Sequence, residues 1–216
     1  DPAMLVFLDA AVNTKDAPNE NFAREIMELF TMGVGEYGEE DVREAARAFT
    51  GWSVRGLEFY VDSDAHDAGE KYFLGERGDF DGIEIIDRIL ARPQTSRFIA
   101  TKLYRYFVRD DVLLPAEVQL GERLRAHNYD IGAYLQELFV SHDFYASAGE
   151  HIKSPVELVI STYKKMGLIQ VPGVPDFNVV TGALGQRLLH PPTVAGWSQG
   201  RSWVTPWLLF ERGNFV

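Results

Sequence analysis

Four polar residues recur along one side of a predicted helix near the start of the chain: Glu20, Arg24, Glu28 and Thr31, at i, i+4, i+8 and i+11. The next predicted helix carries Glu40, Arg43, Glu44 and Arg47 in the same manner. Two chemistries fit this pattern. Solvated i,i+4 ion pairs would contribute about 0.2–0.5 kcal/mol each and nothing more. A Glu/Arg network between the helices would instead hold a carboxylate pair for acid–base work, with a glycosidase-like separation of roughly 5–10 Å between the carboxyl groups.

A second group, Asp62, Asp64, His66, Asp67 and Glu70, lies within nine residues. Oxygen ligands at alternating positions, with Gly69 for a tight turn, suit a divalent cation such as Ca²⁺, and His66 with two carboxylates suits a transition metal. The spacing departs from the calcium-loop pattern: His stands at the fifth position, Asp at the sixth, and the terminal Glu is missing. The same residues also read as a solvated acidic loop, or as an imidazole oriented by its neighbour, His66–Asp67, with Lys71 nearby. Adjacent residues on a strand point to opposite faces, which counts against that dyad.

A third group closes the chain. His190, Trp197, Arg201 and Trp203 stand in HPPTVAGWSQGRSW, and with Trp207 three of the four Trp residues fall within eleven positions. Together with Trp52 they would make a stacking platform for a sugar or a protein contact, or a rigid plug at the end of a bundle. Lys102, Arg105 and Arg109, interleaved with Tyr104 and Tyr106, are cations near a helix C-terminus. The chain holds no GxSxG, HExxH, phosphate-binding glycine loop or dinucleotide fingerprint.

The elements that must position these residues are mostly helical. Asp1-Pro2 starts a helix expected to reach Val12, and Asn19 caps a second with Phe22, Ile26, Leu29, Phe30 and Gly33 on its apolar face. Glu39 to Thr50 would bury Val42, Ala45, Ala46 and Phe49. Aromatic and β-branched residues alternate over Trp52 to Val61, with Lys71 to Leu74 as a short partner, predicting a small hairpin or sheet insertion near residues 52–75. Helical periodicity returns at Ile83–Leu90, Gln94–Val108, Ala116–Ala126, Ile131–Phe139, Pro155–Leu168, Phe177–Leu189 and Pro206–Arg212. The expected fold is mainly α, a multi-helix bundle with one β excursion, in a single domain over 1–216. Ile169 to Pro175 reads as a loop within it.

Composition narrows the classes. A 216-residue chain with 46% hydrophobic residues can bury a core, and its longest apolar run, Ala3 to Leu8, is far too short to span a membrane. With no cysteine there are no disulfides, thiolate nucleophiles or cysteine metal sites. The net charge of −11 is concentrated in the first 150 residues, and Glu58 to Asp87 holds ten acids against two bases. Such a surface repels phosphate backbones, which argues against nucleic acid as a partner.

NENFAREIMELFTMGVGEY and EEDVREAARAFTGW, followed by HDAGEKYFLG, IKSPVEL and LGQRLLHPPTVAGW, resemble the signature segments of the bacterial family of domain of unknown function 1800. The resemblance covers the whole chain. It implies the C-terminal part of a longer, exported protein, periplasmic or secreted, and it carries no activity. The leading expectation is therefore a helical binding or assembly module for an exported partner protein or a polysaccharide. The alternative is a hydrolase acting on a glycan-like polymer through a carboxylate pair or His66–Asp67. A third reading makes the chain one half of a larger domain.

Overall fold

The computed structural model describes residues 1–170, 173 and 176–215; the loop expected over Ile169–Pro175 therefore lies partly outside the described residues. Contacts divide the chain into two units, Asp1–Thr101 with Leu114–Tyr134, and Lys102–Leu113 with Leu135–Val216. Eleven α-helices and two small antiparallel sheets are present among the described residues, a mainly α fold.

In the first unit, helix α1 (Pro2–Phe7) is capped by Asp1, whose carboxylate accepts from the Ala3 and Met4 amides. The expected run to Val12 breaks at Asp9, which takes a left-handed φ of 60° and leads into a 3₁₀ turn at Ala10–Val12. Helix α2 (Asn21–Glu25) is entered through Asn19, whose side chain accepts from the Asn21 amide at 2.9 Å. It runs into a π-helical stretch, Ile26–Thr31, where the Met32 amide donates to the Met27 carbonyl five residues back. The added residue per turn rotates the apolar face relative to an α-helix. Met27 and Met32 therefore enter the core, while Phe30, expected inside, is 43% exposed.

Helix α3 (Glu39–Ala48) buries Val42, Ala45 and Ala46, with Phe49 just beyond its end, as its pattern predicts. Phe49 meets Phe22 and Trp52 edge-on at ring-centroid distances of 5.0 and 4.9 Å, and these rings centre the core. Gly51 then turns the chain with φ +79°, and its amide donates to the Asn13 carbonyl at 2.9 Å. A Cβ at this position would lie 2.3 Å from the Asp62 carbonyl oxygen, so no larger residue fits.

The β excursion is two separate hairpins rather than one. Strands β1 (Trp52–Arg55) and β2 (Glu58–Val61) pair with each other, as do β3 (Lys71–Phe73) and β4 (Glu76–Gly78). The segment at Lys71 is thus no partner of the first hairpin. Its own tight turn, with both Leu74 and Gly75 at positive φ, sends it back on itself. Helix α4 (Gly82–Ala91) has a reciprocal Asp81–Glu84 capping box, and α5 (Pro93–Phe107) and α6 (Leu114–Ala126) follow.

Helix α7 (Ile131–Phe139) precedes a short helix the periodicity did not foreshadow, α8 (His142–Ala146), capped by Ser141. In the second unit the IKSPVEL segment is a helix start: Ser154 and Glu157 form a capping box and Pro155 stands at the first position of α9 (Pro155–Lys165). Gln186, from LGQRLLHPP, adds its side-chain oxygen to the Val156 amide at 3.0 Å, so two signature segments meet at one helix end. Helix α10 (Phe177–Ala183) stops earlier than expected, because Gly185 turns at φ +99°, and α11 (Pro206–Phe215) ends the chain.

Gly82 offers a direct check of core packing. A Cβ there would approach Trp52 to 2.4 Å and Phe49 to 2.7 Å. Gly82→Ala is expected to lower stability by about 1–3 kcal/mol through overpacking. Gly213→Ala, inside α11 where a Cβ meets nothing within 4 Å, is expected to raise it by about 0.5–1 kcal/mol. Thermal denaturation of both variants measures the contrast.

Candidate functional site

The polar stripe on α3 is turned onto the free edge of β3. Asp41 Oδ1 accepts from the Leu74 amide at 2.7 Å, and Glu44 Oε2 accepts from the Tyr72 amide at 3.0 Å. Arg47 Nη1 donates to the Glu70 carbonyl at 3.2 Å. Residues three apart on the helix thus meet residues two apart on the strand, and the helix supplies the hydrogen bonds a neighbouring strand would have made. Glu40 and Arg43, the other members of the predicted stripe, remain exposed.

Arg47 also clamps the acidic loop. Its Nε and Nη2 hold the two Asp67 carboxylate oxygens at 2.8 and 3.2 Å, and Nη1 binds Glu44 at 2.9 Å. The guanidinium holds the Asp67 carboxyl below the usual carboxylate range, and Asp67 in turn raises the Arg47 pKa. Thr50 completes the clasp: its hydroxyl accepts from the Asp67 amide at 2.7 Å, and its carbonyl lies 2.9 Å from His66 Nδ1. A carbonyl only accepts, so His66 Nδ1 carries a proton. No hydrogen bond joins His66 to the Asp67 side chain, so the expected orientation of one by the other is not formed. Lys71, only 1% exposed, donates to the Asp67 and Gly69 carbonyls at 2.7 and 2.9 Å, and burial lowers its pKa. Asp62 Oδ1 accepts from the Asp64 amide at 3.0 Å, a local turn. Among the described residues no three His, Cys, Asp or Glu side chains gather as a metal ion would require, Asp62, Asp64, His66 and Asp67 included.

On α2, Arg24 grips Glu39 with both terminal nitrogens, at 2.8 and 2.7 Å, and Glu20 at 3.1 Å. Its bond to Glu39 lowers that carboxyl's pKa. Glu28 accepts from the Tyr37 hydroxyl at 3.1 Å, and burial with Glu28 alongside pushes the tyrosine up to about 12. Thr31 turns inward to the Ile26 carbonyl at 2.6 Å, inside the π-helical stretch. Glu25, absent from the predicted stripe, is the carboxyl raised here, by burial first and then by Glu28.

Above the α3–β3 seam lies a cleft of about 620 Å³, all of it within the first unit. Met32 and Glu36 from the loop after the π-helical stretch line it, as do Glu40 and Asp41 from the start of α3. Tyr72, the Leu74–Gly75 turn, Arg92, Gln94 and Arg97 complete the lining. Leu74 is strained at φ 50°, and its peptide is held from both sides, by Asp41 at the amide and by Arg92 at the carbonyl. Arg97 is fixed at its base: α6 presses Gly121 so close that a Cβ there would sit 2.8 Å from the Arg97 backbone nitrogen. Its guanidinium has no hydrogen bond or ion pair among the described residues, and the same is true of Glu36 and Glu40. None of the sequence-derived candidates in the acidic loop lines this cleft.

The aromatic candidates divide between the two units. Trp52 belongs to the first unit's core, packed on Phe22, Phe49 and Phe59, so its ring is not a ligand face. In the second unit Trp203 is buried, Trp197 is half-buried, and His190 and Arg201 are exposed. The Arg201 amide donates to Asp110 at 3.0 Å. Trp207 is 66% exposed beside Phe210. The segment is thus partly plug, through Trp203, and partly open surface.

Arg47→Ala would leave Asp67, Glu44 and the Glu70 carbonyl without their shared donor. A loss of about 2 kcal/mol is expected, read as a melting drop of about 4–8 °C. Arg47→Lys is expected to recover only part, since an ammonium lacks the two-pronged fit. Because the folded pKa of Asp67 is depressed, its contribution is complete above the ordinary Asp value of about 3.9 and is lost as pH falls through the lower folded value. The stability gap between wild type and Asp67→Asn should therefore be constant near neutrality and shrink only below about pH 4, as denaturant titrations across pH would measure.

A family model described as "Protein of unknown function (DUF1800)" matches residues 1–216. No curated protein and no solved structure matches the chain. No helix among the described residues is long and apolar enough to cross a membrane. With the match running the full length of both units, the chain belongs to the DUF1800 family.

Proposed function

We propose that this chain is an exported binding module and that a polysaccharide segment lodges in the cleft of the first unit. One observation carries the reading. The groups best suited to acid–base work are already engaged: Arg24 with Glu20 and Glu39, Glu28 with Tyr37, Arg47 with Glu44 and Asp67, Lys71 with two carbonyls. Glu36, Glu40 and Arg97, whose side chains have no hydrogen bond or ion pair among the described residues, border a cleft of about 620 Å³, a volume ordinary for a ligand site. Tyr72, 44% exposed in the cleft lining with Arg77 5.9 Å from its ring centroid, offers aromatic surface to a sugar, and the two open carboxylates accept from hydroxyls. A protein partner is the less favoured ligand, because the cleft lacks the exposed apolar anchors that dominate protein interfaces.

The hydrolase alternative rests on a different observation, the raised carboxyl of Glu25 beside Glu28. A partly buried acid next to a second carboxylate resembles the arrangement of a general acid with its partner.

Titration calorimetry against a panel of soluble polysaccharides is expected to find at least one ligand whose affinity drops tenfold or more in Tyr72→Ala, with an unchanged melting temperature. Binding that ignores Tyr72 and Glu40→Gln alike would remove the cleft as the site. Release of reducing sugar by wild type, abolished in Glu25→Gln, would establish the hydrolase instead.

A further inference from the structure

We infer that the ligand of this cleft carries a carboxylate on a hydroxyl-rich scaffold, the chemistry of a uronic acid residue, and that Arg97 is the residue that reads it. The inference rests on the cleft being the binding site and adds which chemical class of sugar it selects.

The starting observation is an arginine without a counter-ion in an acidic environment. The chain carries 32 Asp and Glu residues against 21 Lys and Arg, and the arginines of the first unit's clasps pair with carboxylates: Arg24 with Glu20 and Glu39, and Arg47 with Glu44 and Asp67. Arg97 is half-buried, lines the cleft and has no such partner among the described residues. Its stem is held at the base, because Gly121 brings α6 against the backbone and Cγ of Arg97, at 2.7–2.9 Å for an added Cβ. A half-buried arginine held at its base and left unpaired gains from an incoming anion, and its planar fork matches a carboxylate with two parallel hydrogen bonds.

The other lining charges decide which anion. Arg92 is committed to the Leu74 carbonyl, and Asp41 to the Leu74 and Gly38 amides. The remaining charges are Arg97 and two carboxylates, Glu36 and Glu40. That balance is already negative, so a doubly charged phosphate would be repelled, whereas one carboxylate set on Arg97 meets no second unpaired cation and needs none. Glu36 and Glu40, both exposed, are acceptors that sugar hydroxyls can use and an apolar acid would not. Carboxylate and hydroxyls together describe a uronate within a chain.

Polygalacturonate oligomers and their methyl esters share one backbone and differ only in the charge that Arg97 would read. The acid form is expected to bind at least tenfold more tightly than the ester in calorimetry. Arg97→Gln should bring the acid form down to the affinity of the ester and leave the ester unchanged, and Arg97→Lys should fall between. Melting curves of the variants show that the fold is kept. Equal binding of acid and ester, indifferent to Arg97, would overturn the inference while leaving the cleft as a site for neutral sugar. Binding of neither form, with a neutral polysaccharide still bound through Tyr72, would overturn it as well. Failure of every polysaccharide would overturn the cleft reading together with it.

Discussion

The first unit depends on a helix doing the work of a β-strand. A three-residue hairpin such as β3–β4 has no stability of its own in water, and its outer edge presents unpaired amides and carbonyls. Helix α3 closes that edge with Asp41, Glu44 and Arg47, spaced so that each meets an alternate backbone group of residues 74, 72 and 70. Two acceptors face two donors and one donor faces one acceptor. Arg47 then reaches past the strand to Asp67, so the same residue that seals the edge also folds the acidic loop over Lys71. The apolar side of α3 meanwhile holds the Phe22, Phe49 and Trp52 cluster. One ten-residue helix thus joins core, hairpin and loop.

This arrangement changes the meaning of polar residues at helical spacing. A stripe of acids and arginines is compatible with catalysis, solvated ion pairs or internal ties, and here the third dominates. Charged groups that bond to backbone are worth more than exposed ion pairs, because losing one partner strands another in a partly dry setting. What remains for a ligand is charge the fold leaves unmatched, and at the cleft Glu36, Glu40 and Arg97 are such groups among the described residues, where the segment before α3, the start of α3 and α5 converge. The strain at Leu74 falls in the same place, held between Asp41 and Arg92.

Much of the architecture was legible from periodicity and capping chemistry. The helices at α3, α4, α5 and α9 follow from their apolar spacing, and Ser154-Pro155 with Glu157 marks a helix start directly. The π-helical stretch was not legible, because nothing local announces an inserted residue; the core decides that Met27 and Met32, and not Phe30, fit inside. The division into two hairpins hangs on a Leu74–Gly75 turn whose first residue is no usual turn former. The early end of α10 rests on the left-handed turn at Gly185, which stops the helix although apolar residues continue at Leu188 and Leu189. The candidate site was the least legible part. Its lining comes from four segments between Met32 and Arg97, and Arg97 stands out by having no side-chain hydrogen bond or ion pair among the described residues, which no spacing records.

Amide hydrogen exchange of Tyr72 and Leu74 tests the helix-as-strand account most directly. Both amides point at α3 carboxylates and away from the β4 partner, so they should be protected in the wild type to the same degree as the α3 backbone. They should lose that protection in an Asp41→Ala, Glu44→Ala double variant that keeps α3 itself protected. Exchange of these two amides at unprotected rates in the wild type would contradict the account at its root.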